Sequence, residues 1–314
     1  MTRTSRMPAA VFALAVVMAS CGGWADALRE DDSSPGPFSS PAGRISPQAD
    51  RPLQHSSLPL PEPDAWIPRA PDRLAQALDT TTRSLRAAID RWTTEGDLTS
   101  GRPPLDVQLL ALYQQRTYRM LARDPALADS VMERLSTSVA KEARINVAAG
   151  SDLLSLASPV SSPELIRTQP PEPPGVLLDF YLEGEDRFDV AWQVLAAVNY
   201  TESKFGRVVS ASSAGAQGPM QFIPSTWAAY GLGGDVHDPH DAILGAANYL
   251  HASGAPANYR LALYHYNPVP EYVDAVMRYA RQMMRDPRTF YAYYNWQVFV
   301  LTNHGEVRLT GPGR

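Results

Sequence analysis

The chain has 314 residues, of which 44% are hydrophobic and 19% charged, with 28 Lys and Arg against 33 Asp and Glu. That length fills one large domain or two ordinary ones. A net charge of −5 excludes the basic surface that a nucleic-acid partner would need, and the single cysteine has no disulfide partner.

The first segment reads as an export signal. Arg3 and Arg6 precede an apolar run from Ala9 to Ser20. Twelve residues are too few to span a bilayer as a helix, which takes about 20. Met18-Ala19-Ser20-Cys21 resembles a bacterial lipobox, which implies acylation of Cys21 after removal of residues 1–20. An ordinary signal peptide that happens to contain a cysteine is the alternative. Acyl chains would hold the protein on a membrane surface, each buried CH₂ adding ~0.8 kcal/mol. From Ser33 to Pro63 the chain is rich in Pro and Ser, so residues 21–63 are expected to form a semi-stiff tether. The localisation expected from these features is the cell envelope, with the protein exported and lipid-anchored.

Helical periodicity begins at Pro71. Leu74, Leu78, Leu85, Ile89 and Trp92 recur at helix spacing, and Pro71 and Asp72 suit a first turn. A second helix is predicted near Leu105, carrying Val107, Leu110, Tyr113 and Met120. A third is predicted from Asp124, with Pro125 at its first position. These stripes predict core, so residues 64–167 read as a helical support region. TQPPEPPG, residues 168–175, punctuates the chain and is expected to be a linker. Residues 176–314 return to helical text in FDVAWQVLAAVNYTES, STWAAYG, DAILGAANYLHASG and PEYVDAVMRYARQMM. The expected class is all-α, with YAYYNWQVFVL near the end ambiguous between helix and strand.

One helix carries an acid among apolar neighbours. Leu195, Val198 and Asn199 precede Glu202 by seven, four and three residues, which places the carboxylate on their stripe. Burial would raise its pKa and make it a general acid at neutral pH. A Glu at a fraying helix end is the alternative. After Arg207 no charged residue appears until Asp235, and the intervening SASSAGAQG suits a loop whose backbone approaches a ligand.

Three separated motifs in residues 178–285 resemble the catalytic domain of the soluble lytic transglycosylase family, lysozyme-like enzymes that cleave peptidoglycan. Glu202-Ser203 resembles the family's catalytic Glu-Ser. Ser212 to Gln221, SSAGAQGPMQ, resembles its S-x-A-G-A-x-G-L-M-Q. Leu261 to Val273, LALYHYNPVPEYV, resembles its A-x-x-A-Y-N-x-G segment. Pro219 and Pro268 depart from the pattern. The resemblance implies a lysozyme-like domain after the helical region, with Glu202 as the single catalytic acid and base. Ser203, Ser212, Met220, Gln221, Tyr266 and Asn267 would then form the substrate-binding set. Tyr266 is expected to hydrogen-bond and orient Glu202, Asn267 to brace that turn, and Ser203 to support the turn after the acid. Tyr264 reads as core packing.

No second carboxylate lies in the first two motif segments, around Glu202 and from Ser212 to Gln221, Asp189 and Asp235 being the flanking ones. A single-acid mechanism suits that inventory. The substrate's acetamido group and C6 hydroxyl would supply what a second carboxylate supplies in most glycosidases, giving a 1,6-anhydro product. The expected partners are peptidoglycan glycan strands, a membrane through the anchor, and possible cell-wall machinery proteins. A hydrolytic muramidase and a non-catalytic peptidoglycan-binding scaffold are the alternatives. No cofactor or metal is expected. Asp238-Pro239-His240-Asp241 reads as a helix start, and His55, His251, His265 and His304 join no catalytic constellation.

Overall fold

The computed structural model describes residues 59–100 and 102–314. The expected signal segment, Cys21 and most of the tether lie outside the described residues. Within them, eleven α-helices and one two-stranded hairpin form the regular structure, with a short 3-10 turn at Pro163–Leu165. The all-α class predicted from periodicity holds, with the hairpin as a small addition.

Helix α1, Pro71–Glu95, begins with proline at its first position and buries Leu74, Leu78, Leu85, Ile89 and Trp92, the stripe read from the sequence. Helix α2, Leu105–Arg123, buries Val107, Leu110, Tyr118 and Leu121 against it. Asp124 caps α3, Pro125–Met132, its Oδ1 accepting from the Leu127 N–H at 3.0 Å. Helix α4, Thr137–Leu156, escaped the sequence reading. Its buried face is built largely from Ala140, Ala143 and Ala149, which give a faint periodic signal but let another helix approach closely.

The second half contains α5, Pro174–Phe188; α6, Trp192–Ser203; α7, Pro224–Tyr230; α8, Pro239–Ala252; α9, Tyr259–Tyr266; α10, Pro270–Arg285; and α11, Arg288–Tyr294. Helix α10 packs against both α4 and α6, so it joins the early helices to the later ones. Helix α5 covers α8 and α6, and α11 closes on α1. Helix α6 is buried on all sides from Val194 to Ser203, more than the single inward stripe predicted. Each fully buried aliphatic residue on it, such as Leu195 or Val198, contributes about 1.5–3 kcal/mol.

One hydrophobic core runs from Leu74 to Trp296. The stretch 168–175, expected to be a linker, is bound into this body. Gln169 donates its N–H to the Arg207 carbonyl at 2.9 Å, and Val209 donates to that of Arg167 at 3.1 Å. Gly175 sits against the Leu98 carbonyl, where a Cβ would stand 2.8 Å away. Proline made the segment extended, and extended backbone finds ladder partners as readily as it spans a gap. The ambiguous stretch near the end divides. Its tyrosines finish α11, and the chain then forms β1, Phe299–Thr302, and β2, Gly305–Arg308, antiparallel with Val300 opposite Val307. No described helix is long and apolar enough to cross a membrane.

Candidate active site

Glu202 occupies the last turn of α6 and is 3% exposed. Three consecutive residues after the helix, Lys204, Phe205 and Gly206, adopt positive φ. Two of them are not glycine, a conformation costing roughly 1–2 kcal/mol per residue. Tertiary packing holds them there: Phe205 is buried among Tyr200, Phe290 and Tyr294. Arg207 extends the clamp, donating to the Tyr294 carbonyl at 2.6 Å and to the Lys204 carbonyl at 3.1 Å. The acid therefore stands on a fixed helix end and not on a frayed one.

Ser203 is also buried. Its Oγ donates to the Pro219 carbonyl at 2.5 Å and accepts from the Gly206 N–H at 2.8 Å. Asn199, one turn earlier, donates to the same carbonyl at 2.8 Å and accepts from the Tyr181 hydroxyl at 2.6 Å. These bonds dock the loop before α7 onto the helix that carries the acid. Ser203 braces the turn, the role the resemblance implied, and its hydroxyl is engaged inside the protein, not offered to substrate as the substrate-binding set required.

The loop has its own fixed shape. Ser212 is half-buried; its Oγ accepts from the Ala216 N–H at 3.0 Å, and its N–H bonds the Ala216 carbonyl at 2.9 Å. Gln217 and Phe222 exchange two backbone bonds of 2.9 Å around a tight turn. Gly218 is indispensable within that turn, because φ is +73° and a Cβ would lie 1.8 Å from the Val236 carbonyl oxygen. Gln221 follows at φ +52° and is 6% exposed. Its amide donates to the Gly218 carbonyl at 2.9 Å, while its buried Oε1 has no hydrogen-bond partner among the described residues. Met220 is fully buried, so its side chain packs in the core and cannot line a sugar site as expected.

Tyr266 differs from expectation as well. Its hydroxyl donates to the Met220 carbonyl at 2.6 Å, not to Glu202. The residue that holds the acid is Tyr272, which donates to Glu202 Oε1 at 2.6 Å. The reason is geometric. Tyr266 ends α9, and the turn through Asn267 to Val269 hands the chain to α10, whose third residue, Tyr272, faces α6. Burial pushes the Tyr266 phenol up, and the Glu202 charge adds to it. Asn267 is buried at that turn, whereas Tyr264 is 47% exposed and belongs to the surface, not to the core. Nothing local in the sequence separates Tyr272 from the chain's other tyrosines; its meaning arises from α10 crossing α6.

Burial lifts the Glu202 carboxyl from its ordinary 4.5 to about 8, opposed by the Tyr272 hydrogen bond and by the Lys204 charge. No carboxylate among the described residues bears on its titration. A carboxyl of this kind is protonated at neutral pH and can donate a proton, then hold the negative charge through Tyr272. The Asp238 reading as a helix cap holds: its Oδ1 accepts from the His240 and Asp241 N–H groups at 2.9 and 3.1 Å. Asp238, His240 and Asp241 do bring ligand atoms within 4.8 Å of one another. Those groups already serve the cap, a 2.7 Å contact between His240 and Glu183, and the Asp235 N–H.

A helical body with one small hairpin thus carries a buried acid at a helix end. Residues 180–286, roughly one-third of the chain, match the family model of the transglycosylase SLT domain, whose fold is lysozyme-like. No curated protein and no solved structure matches the chain.

Proposed function

We propose that the chain is a lytic transglycosylase that cleaves the bond between N-acetylmuramic acid and N-acetylglucosamine in peptidoglycan. The observation that carries this reading is the isolation of Glu202, a buried acid lifted to about 8 with a tyrosine donor and no second carboxylate acting on it. Glu202 gives its proton to the glycosidic oxygen as the C1–O bond breaks. The substrate's 2-acetamido group stabilises the oxocarbenium-like centre. The Glu202 carboxylate, steadied by Tyr272, then takes the proton of the C6 hydroxyl, whose oxygen closes on C1. The 1,6-anhydro ring forms and the acid is restored. Because the nucleophile belongs to the substrate, high effective molarity replaces a base that would activate water.

Tyr266 and Asn267 form the turn beside the acid, and Ser212 shapes the facing loop. The lipobox-like sequence at Cys21 supports an envelope lipoprotein in the same proposal, with residues 21–63 giving the domain reach toward the wall.

The test is mass spectrometry of the fragments released from purified peptidoglycan by the protein and by Glu202→Gln. Anhydro-muramic ends, lighter than hydrolysis products by one water and absent with the variant, are the expected result. Reducing ends that depend on Glu202 would make the protein a muramidase. Binding without products from either protein would make it a scaffold.

A further inference from the structure

A cavity of about 50 Å³ lies beside the C-terminal end of α6, where α2 and α4 face Tyr200, Lys204, Tyr279 and the hairpin. Neither Glu202 nor Tyr272 lines it. Most of the polar groups in its wall are satisfied internally. Gln115 binds both the N–H and the carbonyl of Gln297, at 2.7 and 2.9 Å. Asn146 accepts from Tyr293 and donates to the Glu142 carbonyl, and Tyr118 donates to the Glu142 carboxylate. Arg119 and Arg123 both pair with Glu306.

Two donors remain. Lys204 makes one hydrogen bond, to the Tyr200 carbonyl at 2.9 Å, with its ammonium 4.2 Å from the centre of the Tyr200 ring. It forms no ion pair among the described residues. Trp296, only 3% exposed, has an indole N–H with no acceptor among the described residues. A buried donor left unsatisfied costs roughly 1–3 kcal/mol. The Trp296 N–H lacks an acceptor, Lys204 has one where an ammonium can serve three, burial brings its pKa down to about 7 so that an anion beside it would favour the charged form, and two arginines share a single carboxylate close by. The rest of the wall is aromatic and aliphatic, including Leu153, Leu154 and Leu301.

We infer that this cavity is a binding site for a small carboxylate with a short apolar body, the carboxylate lying on Lys204 and the apolar part on the aromatic wall. The volume suits a ligand of a few heavy atoms, since a single water needs about 10–15 Å³ on this scale. Binding here bears on the acid two residues away, because the Lys204 charge opposes the lift that burial gives Glu202.

The experiment is ¹⁹F NMR on the full chain with 4,4,4-trifluorobutanoate, and with 4,4,4-trifluorobutan-1-ol as the uncharged control. The carboxylate is expected to bind at least about tenfold more tightly than the alcohol, the factor expected when a hydrogen bond to a charged group is lost. Lys204→Met should abolish that preference. Leu154→Trp, which fills the cavity without removing a polar group, should remove binding of both probes. Glu202→Gln should leave binding intact. No binding of either probe, which would make this a water-filled cavity, or equal binding by wild type and Leu154→Trp, would overturn the assignment. So would a carboxylate preference that survives in Lys204→Met.

Discussion

The Tyr272 hydroxyl donates a 2.6 Å hydrogen bond to Glu202 Oε1 across the contact between α10 and α6, with both residues buried. The bond favours the charged carboxylate, whereas burial favours the neutral acid, and burial is the larger influence. Tyr272 therefore moderates the acid and fixes its direction. Tyr272→Phe should move the alkaline limb of the kcat/KM profile to higher pH by about one unit, because a hydrogen bond to a charged group is worth about 1.5–3 kcal/mol and one unit is 1.36. Turnover should fall about tenfold or more from the loss of orientation. An unchanged limb in the pH profile would contradict this role.

Ionisation of Glu202 also links to stability. Its pKa in the folded protein, about 8, lies above the ordinary 4.5, so the folded state binds more protons between those values. Stability should be greatest below about 4.5 as far as this group is concerned, decline as pH rises toward 8, and level off beyond. Glu202→Gln removes the dependence. The variant should be more stable than wild type at pH 8.5, by on the order of a few kcal/mol and hence with a higher melting point, and the gap should close near pH 5. Calorimetry at the two pH values checks both the sign and the closure.

Ser203→Ala tests whether this hydroxyl is a brace or a substrate ligand. Its bonds to the Pro219 carbonyl and the Gly206 N–H are both internal. Loss of stability by about 1–3 kcal/mol is expected, from buried groups left unpaired. KM for glycan fragments should hold while kcat falls. A rise in KM alone, at unchanged stability, would return Ser203 to the substrate.

Gly218→Ala should be among the most damaging single changes in the chain. The added Cβ meets a backbone carbonyl at 1.8 Å, and φ of +73° disfavours any side chain. A loss of at least about 2 kcal/mol is expected, visible as a melting point lower by several degrees. Gly215, with no atom within 4 Å of its Cβ position, provides the contrast. Its alanine variant bears only the cost of its positive φ.

The sequence carried the helices whose apolar residues are large and regularly spaced. Leu74 to Trp92 specified α1, and Asp124-Pro125 and Asp238-Pro239 marked helix starts through local chemistry. Helix α4 leaves a faint periodic pattern because alanines and the polar Glu142 and Asn146 fill most of its buried face, with only Val139 and Leu153 as larger apolar residues. The apolar neighbours and the charge-free loop left Glu202 open between an acid in a cleft and a residue at a helix end, and the resemblance to the family's Glu-Ser is what singled it out. Its partner was not legible, because Tyr266 and Tyr272 differ only in which of them a helix crossing directs toward α6. The binding of residues 167–169 to the backbone around Arg207 was equally hidden, since such bonds leave no mark on side-chain identity.

Direct titration of the Glu202 carboxyl is the most decisive measurement. In protein labelled with ¹³C at the glutamate carboxyl, the signal missing from Glu202→Gln identifies the residue. The expected result is a single transition near pH 8. A transition near 4.5 would mean that the group is ionised at neutral pH, and the proposal that Glu202 acts as the proton donor would fail.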